Sequence, residues 1–147
     1  MPSTTPIIRN ATPADAAEIS RLSTQLGYPA SVDTFAARLL KLLDSPRHAV
    51  LVAIGDGDRL GGYVATEQRM SLELGERVEI VALVVDADAR RAGVGKALVA
   101  AAEQWAVDNG TPHVFLRSNI LRPESHPFYE SLGYERTKTQ HAYRKPL

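Results

Sequence analysis

"RVEIVALVVDADARRAGVGKAL", residues 77 to 98, decides how this chain folds. Its first half, Arg77 to Val85, is a continuous β-branched run. Length and apolarity predict a central strand covered on both faces. Its second half carries Gly93, Gly95 and the cations Arg90, Arg91 and Lys96, and then opens a helical pattern. Val94, Leu98, Ala101 and Trp105 recur at helical spacing, which predicts a core-facing stripe. Asn109-Gly110 closes that helix. The glycines admit two readings: backbone freedom at a strand-to-helix turn, or a loop that holds phosphates.

Two nucleotide motifs can be tested by counting. A P-loop needs a glycine five residues before its Gly-Lys pair and Ser or Thr after the lysine. Those positions hold Arg90 and Ala97. A dinucleotide-binding fingerprint needs a third glycine three residues after the second, and that position is Leu98. Both fail. No Ser, Thr, Asp or Asn stands in the four residues before Gly93 to cap the helix, so its first amides are free for an anion.

Toward the N-terminus, Pro6 to Arg9 reads as a first strand and Thr12-Pro13 as a helix start. Ala16, Ile19 and Leu22 carry that helix to Leu26, and Gly27 stops it. A second helix from Ser31 presents Phe35, Leu39 and Leu42. "HAVLVAI" and "RLGGYVAT" flank the hairpin signal Asp56-Gly57. Toward the C-terminus, "HVFLRS" reads as a strand and "ESHPFYESL" as a short helix ended by Gly133. Two last strands are expected near Tyr134 to Thr137 and Gln140 to Arg144. The expectation is a mixed α/β chain: one domain, residues 1–147, with a mostly antiparallel sheet of about six to seven strands and about four helices.

Composition narrows the function classes. The chain has 147 residues, 44% hydrophobic and 23% charged, with a formal net charge of zero. That balance argues against a non-specific nucleic-acid binder. No cysteine is present, which removes disulfides and thiolate chemistry and accords with a cytoplasmic location. No signal-like leader and no run of about 18 apolar residues occurs, so neither export nor a membrane span is expected. His48, His113, His126 and His141 lack ligand spacing, and no metal is expected.

Arg90-x-x-Gly93-x-Gly95, preceded by the strand end Leu83-Val84-Val85, resembles the coenzyme A loop of the GNAT superfamily of N-acetyltransferases. "RSNILRPESHPFYESLGYERTKTQ" is similar to that family's second cofactor motif, with Asn119 followed ten residues later by Tyr129. Residues 78 to 136 carry the specific part of the resemblance, and the order of elements agrees over nearly the whole chain. Ser125 and Pro127 stand where relatives commonly have Ala and Arg. Many relatives also carry a carboxylate where this chain has Val81.

The resemblance implies roles. Acetyl-coenzyme A is the cosubstrate. Leu83, Val84 and Val85 would bind its pantetheine arm through backbone groups, with the amide of Leu83 or Val84 as oxyanion donor. Arg90, Arg91, Ala92, Gly93, Val94, Gly95 and Lys96 would hold its pyrophosphate, and Asn119 its arm. Tyr129 would protonate the leaving sulfur; the alternative is a half-buried packing tyrosine. For the base, strand alternation groups Glu79, Val81 and Leu83, so Glu79 would sit about 7 Å behind the missing carboxylate and act through water. The alternatives are a Glu79 that faces solvent near a strand end or pairs with Arg77 or an arginine elsewhere, the weaker candidates Glu76 and Glu73 close to the turn, and a reaction in which bulk water suffices as base.

The expected reaction is acetyl transfer to a primary amine of a small molecule. Peptide or protein N-acetylation and a non-catalytic acyl-coenzyme A-binding module are the alternatives. "QLGYPAS", with Tyr28, and Asp33, Lys138 and Gln140 would face the acceptor, but they identify no acceptor. The resemblance leaves a homodimer open.

Overall fold

The structure, a computed structural model, describes residues 5–89, 92–111, 113–118 and 125–147. They fall into two compact units, 1–117 and 118–147.

The first unit is a five-stranded sheet in the order β1 (Ile8–Asn10), β2 (His48–Ile54), β3 (Leu60–Ser71), β4 (Gly75–Val85) and β5 (Val114–Leu116). Neighbours run antiparallel except β4 and β5, which are parallel. Helices α1 (Ala16–Leu26) and α2 (Val32–Leu43) precede β2, and α3 (Val94–Asp108) joins β4 to β5. Each helix starts and stops for a local reason. Asp15 accepts from the Thr12 amide at 2.8 Å ahead of α1, and Gly27 ends α1 with φ 101°. The Ser31 hydroxyl accepts from the Thr34 amide at 3.1 Å and caps α2.

Strand alternation sorts the core into two layers. Val50, Val52, Tyr63 and Val84 pack with Ile19, Leu22 and Leu39 of the first two helices. On the opposite face α3 lies against the glycine pair of β3. A Val94 methyl lies 3.6 Å from where a Gly61 Cβ would stand, and Leu98 Cδ1 lies 3.1 Å from that of Gly62. That close seating rotates α3 from the expected stripe. Its buried residues are Val94, Leu98, Val99, Ala102 and Ala106, while Ala101 and Trp105 are only half-buried. Small Ala102 and Ala106, not Trp105, match a sheet surface stripped of side chains.

The second unit contains α4 (Ser125–Ser131), which Gly133 follows at φ 94°. The two strands expected after Tyr134 are not formed. Residues 135 to 147 are exposed and carry no regular structure. Their few apolar residues, Ala142, Tyr143 and Leu147, stand among Arg136, Lys138, Arg144 and Lys145 and give the segment no apolar face to bury. The described residues thus hold five strands rather than six or seven, within the expected mixed α/β class.

Candidate active site

The strand β4 has two unlike halves. Val78, Glu79 and Ile80 pair on both sides, with Gln68, Glu67 and Thr66 of β3 and with Val114, Phe115 and Leu116 of β5. From Ala82 to Val85 only the β3 side is paired among the described residues. Among the described residues of the first unit, no strand pairs with this edge, which is roughly 13 Å long.

The change falls at a β-bulge. Ala65 pairs with Ala82, and the next residue of β3, Thr66, pairs with Ile80. Val81 is therefore the extra residue, and its side chain is 51% exposed. The expectation of a strand covered on both faces fails here, because a bulged residue belongs to neither face of the pleat.

The bulge also corrects the placement of Glu79. Residues opposite one another in a ladder share a face. Glu79 opposes Glu67, and it therefore shares a face with Ala82 and Val84, opposite Ala65 and Tyr63. Leu83 opposes Val64 on the other face. The extra residue reverses the alternation, so Glu79 and Leu83 do not point the same way. Glu79 is buried, and its carboxylate is bound. Oε2 accepts from Arg69 Nη1 at 2.8 Å, and Oε1 lies 3.5 Å from Arg117 Nε. The ion-paired alternative describes this residue, with Arg69 and Arg117 rather than Arg77 as the partners.

Backbone direction distinguishes the three residues at the open end. The Asp86 amide donates to the Gly61 carbonyl of β3 at 2.8 Å. Strand groups alternate, so the backbone groups of Val84 also face β3, and those of Leu83 and Val85 face the open edge. Val84 is buried, whereas Leu83 and Val85 are half-buried. Of the two amides considered as oxyanion donors, that of Val84 faces β3 and that of Leu83 faces away from it.

The strand then enters a turn of 3-10 helix, Ala87–Ala89, and α3 begins after Gly93. Gly93 holds φ 79°, a left-handed conformation that side-chain-bearing residues rarely adopt. No side chain caps α3, and its first turn contains no acidic residue. Exposed Lys96 adds a positive charge to the helix dipole. Ala92 and Gly93 are exposed and Gly95 is half-buried, while the Ala92 amide already donates to the Ala89 carbonyl at 3.3 Å. A phosphate-bearing ligand fits this helix start on charge and on geometry. Arg90, Arg91 and Asn119 lie outside the described residues.

In the second unit Tyr129 stands on α4, half-buried, with its ring edge-on to Phe128 at 5.2 Å and to Tyr134 at 6.2 Å. Its carbonyl accepts from the Leu132 and Tyr134 amides, both at 3.1 Å. Burial pushes its phenol above the ordinary tyrosine range, so it stays protonated through neutral pH.

Two groups were missed in the sequence. Gly61-Gly62 seats α3, and a Gly-Gly pair inside a strand pattern is a signal of close approach. Asp86, buried at the end of β4, is bound by Arg21 and Gln25, far away in sequence; no local signal marks it. Among the described residues no group of three or more His, Asp and Glu side chains converges as metal ligands would, and no helix is long and apolar enough to cross a membrane.

Comparison with known proteins agrees with this geometry. Over 146 residues the chain is 29% identical to the aminoglycoside N(6')-acetyltransferase type 1 of Stenotrophomonas maltophilia, covering 97% of this chain and 94% of that one. It is also 29% identical over 130 residues to an uncharacterized N-acetyltransferase of Bacillus subtilis, covering 88% and 87%. The solved structure of the aminoglycoside N-acetyltransferase AAC(6')-Iy in complex with CoA shares the fold, with a TM-score of 0.86, 23% identity and coverage of 97% and 96%. The profile of the Acetyltransferase (GNAT) family matches residues 16–134, which span the first two helices, the open strand, the glycine-led helix and α4. With most of its length inside that match, the chain belongs to the GNAT family of acetyltransferases.

Proposed function

We propose that the chain, acting as one domain over residues 1–147, transfers the acetyl group of acetyl-coenzyme A to a primary amine of a small molecule. The single observation that carries this reading is the open edge of β4, which runs from the bulge at Val81 toward the uncapped start of α3. A pantetheine arm laid along Leu83 and Val85 would add itself to the sheet as a short strand does. Its pyrophosphate would meet residues 90 to 96. Relatives that acetylate aminoglycosides support a small-molecule acceptor.

The amine nitrogen attacks the thioester carbonyl and the C–S bond breaks. The Leu83 amide, aimed at the open edge, stabilises the oxyanion. Asn119 contacts the cofactor arm, and Tyr129 gives its proton to the departing sulfur. An alkyl ammonium has a pKa of about 10, so the amine must first lose a proton. Glu79 is the carboxylate considered for that task, through a chain of water. Its two arginines and its place on the doubly paired half of β4 favour the other reading, in which the proton leaves directly to water.

Release of free thiol from acetyl-coenzyme A with a panel of aminoglycosides, diamines and peptides tests the reading. The chain contributes no cysteine of its own to that signal. Turnover with a small amine is expected. Tyr129→Phe is expected to lower kcat about 100-fold while coenzyme A affinity holds. An unaltered kcat removes Tyr129 from the reaction, turnover with peptides alone moves the acceptor class, and binding without turnover on any amine leaves a non-catalytic module.

A further inference from the structure

The buried carboxylate of Asp86 has no role in the chemistry above, yet it is 5% exposed and stands directly after the open end of β4. Its Oδ1 accepts from the Asp88 amide and from Gln25 Nε2, both at 3.2 Å. Its Oδ2 accepts from Arg21 Nη2 at 3.2 Å and lies 3.6 Å from Arg59 Nη2. Burial pushes this carboxyl up, and the bonds from Asp88, Gln25 and Arg21 outweigh it, so the group is held below the ordinary aspartate range. Gln25 binds a second time, its Oε1 accepting from the Ala87 amide at 3.0 Å. One helical residue thus grips both the carboxylate and the backbone that follows it.

The network extends to the far side of the loop. Arg21 is held by Glu18 at 2.8 Å and 2.9 Å and donates to the Leu60 carbonyl at 3.2 Å. Glu18 accepts from the Leu60 amide at 2.8 Å. Leu60 is followed by Gly61 and Gly62, on which Val94 and Leu98 rest. One end of the network therefore fixes residues 86 to 88, where the loop leaves β4. The other fixes the seat of Val94, where α3 resumes. Arg21 and Arg59 balance Asp86 and Glu18.

We infer that Asp86 and Gln25 are positioning residues: with Arg21 they clamp α1 to residues 86–88 and to Leu60, and so fix the two flanks between which the coenzyme A ligand would bind. This rests on the coenzyme A reading above. Flanks already fixed lose less conformational freedom on binding, and the clamp contributes affinity without touching the ligand.

Titration calorimetry with coenzyme A on the full chain tests the clamp, beside thermal unfolding of the ligand-free protein. Gln25→Ala cuts the link from an accessible position, and Asp86→Ala removes it at the centre. Each is expected to raise the coenzyme A Kd about threefold or more, the order of one lost hydrogen bond. Asp86→Asn keeps an acceptor for the Asp88 amide and should recover part of the Asp86→Ala loss. If Gln25→Ala binds coenzyme A like the wild type, the clamp is overturned, even where the Asp86 variants fail to fold. A fall in melting temperature with unchanged Kd in every folded variant overturns it too, since a merely structural network behaves that way. If the wild-type chain itself does not bind coenzyme A, the underlying reading fails, and the clamp with it.

Discussion

The two halves of β4 differ by a single extra residue. Just before Val81, over Val78 to Ile80, the strand is paired on both edges, and its one buried charge is tied to arginines. After Val81 it is an edge, with backbone groups of Leu83 and Val85 turned outward. An exposed edge is usually a hazard that proteins cover. Here it lies beside a helix start that also lacks a partner. On the proposed reading these two surfaces together take the ligand, whereas the doubly paired residues before the bulge contribute stability.

The largest expected effect on this contrast comes from Gly62→Ala. The new Cβ would stand 2.5 Å from the Val84 carbonyl oxygen and 3.1 Å from Leu98, and backbone cannot yield as a side chain can. A loss of about 3 kcal/mol in denaturant unfolding is expected, concentrated in the open half. A variant as stable as the wild type would mean that α3 is not seated as described.

Next comes removal of the bulge. Ala65↔Ala82 and Thr66↔Ile80 are already paired, so deleting Val81 leaves both halves in register. Melting should shift by only a few degrees, on the order of 1 kcal/mol. Turnover should fall about tenfold or more, because the straightened edge no longer opens. Full activity in this deletion would separate the bulge from the site.

Glu79→Gln should be milder. Its partners Arg69 and Arg117 are 38% and 68% exposed, so water screens the pair, and a loss of about 1 kcal/mol or less is expected. Comparing the pH–rate profiles of variant and wild type completes the test. An acid limb lost on substitution would restore Glu79 as the base, and an unaltered profile assigns it to the closed half alone.

The smallest effect sharpens the comparison without a mutation. By amide hydrogen exchange, Val78 to Ile80 should be protected in the free protein. Leu83 and Val85 should exchange quickly and slow on addition of coenzyme A, while Val84, paired to β3, should change little. Equal protection of all three would contradict the alternation inferred from the Asp86–Gly61 bond.

Much of the site was legible because its signals are local. Gly93 at a positive φ, the missing cap and the cations of "ARRAGVGK" all lie within one turn of sequence. The stop at Gly27, the cap at Ser31 and the hairpin at Asp56-Gly57 were legible for the same reason. Glu79 was misplaced because alternation was counted straight through Val81, and nothing in a β-branched run marks a bulge. Trp105 was read as core because periodicity reports the width of an apolar stripe better than its centre.

The sequence by itself determined the strand, the glycine-led helix start and the likeness of both to acetyltransferases, because each depends on neighbours along the chain. Only the tertiary structure decided where β4 opens, which way Glu79 faces and that Asp86 is bound by α1. Pairing across strands and burial against a distant helix are properties of residues tens of positions apart, and one residue of register reverses every face beyond it.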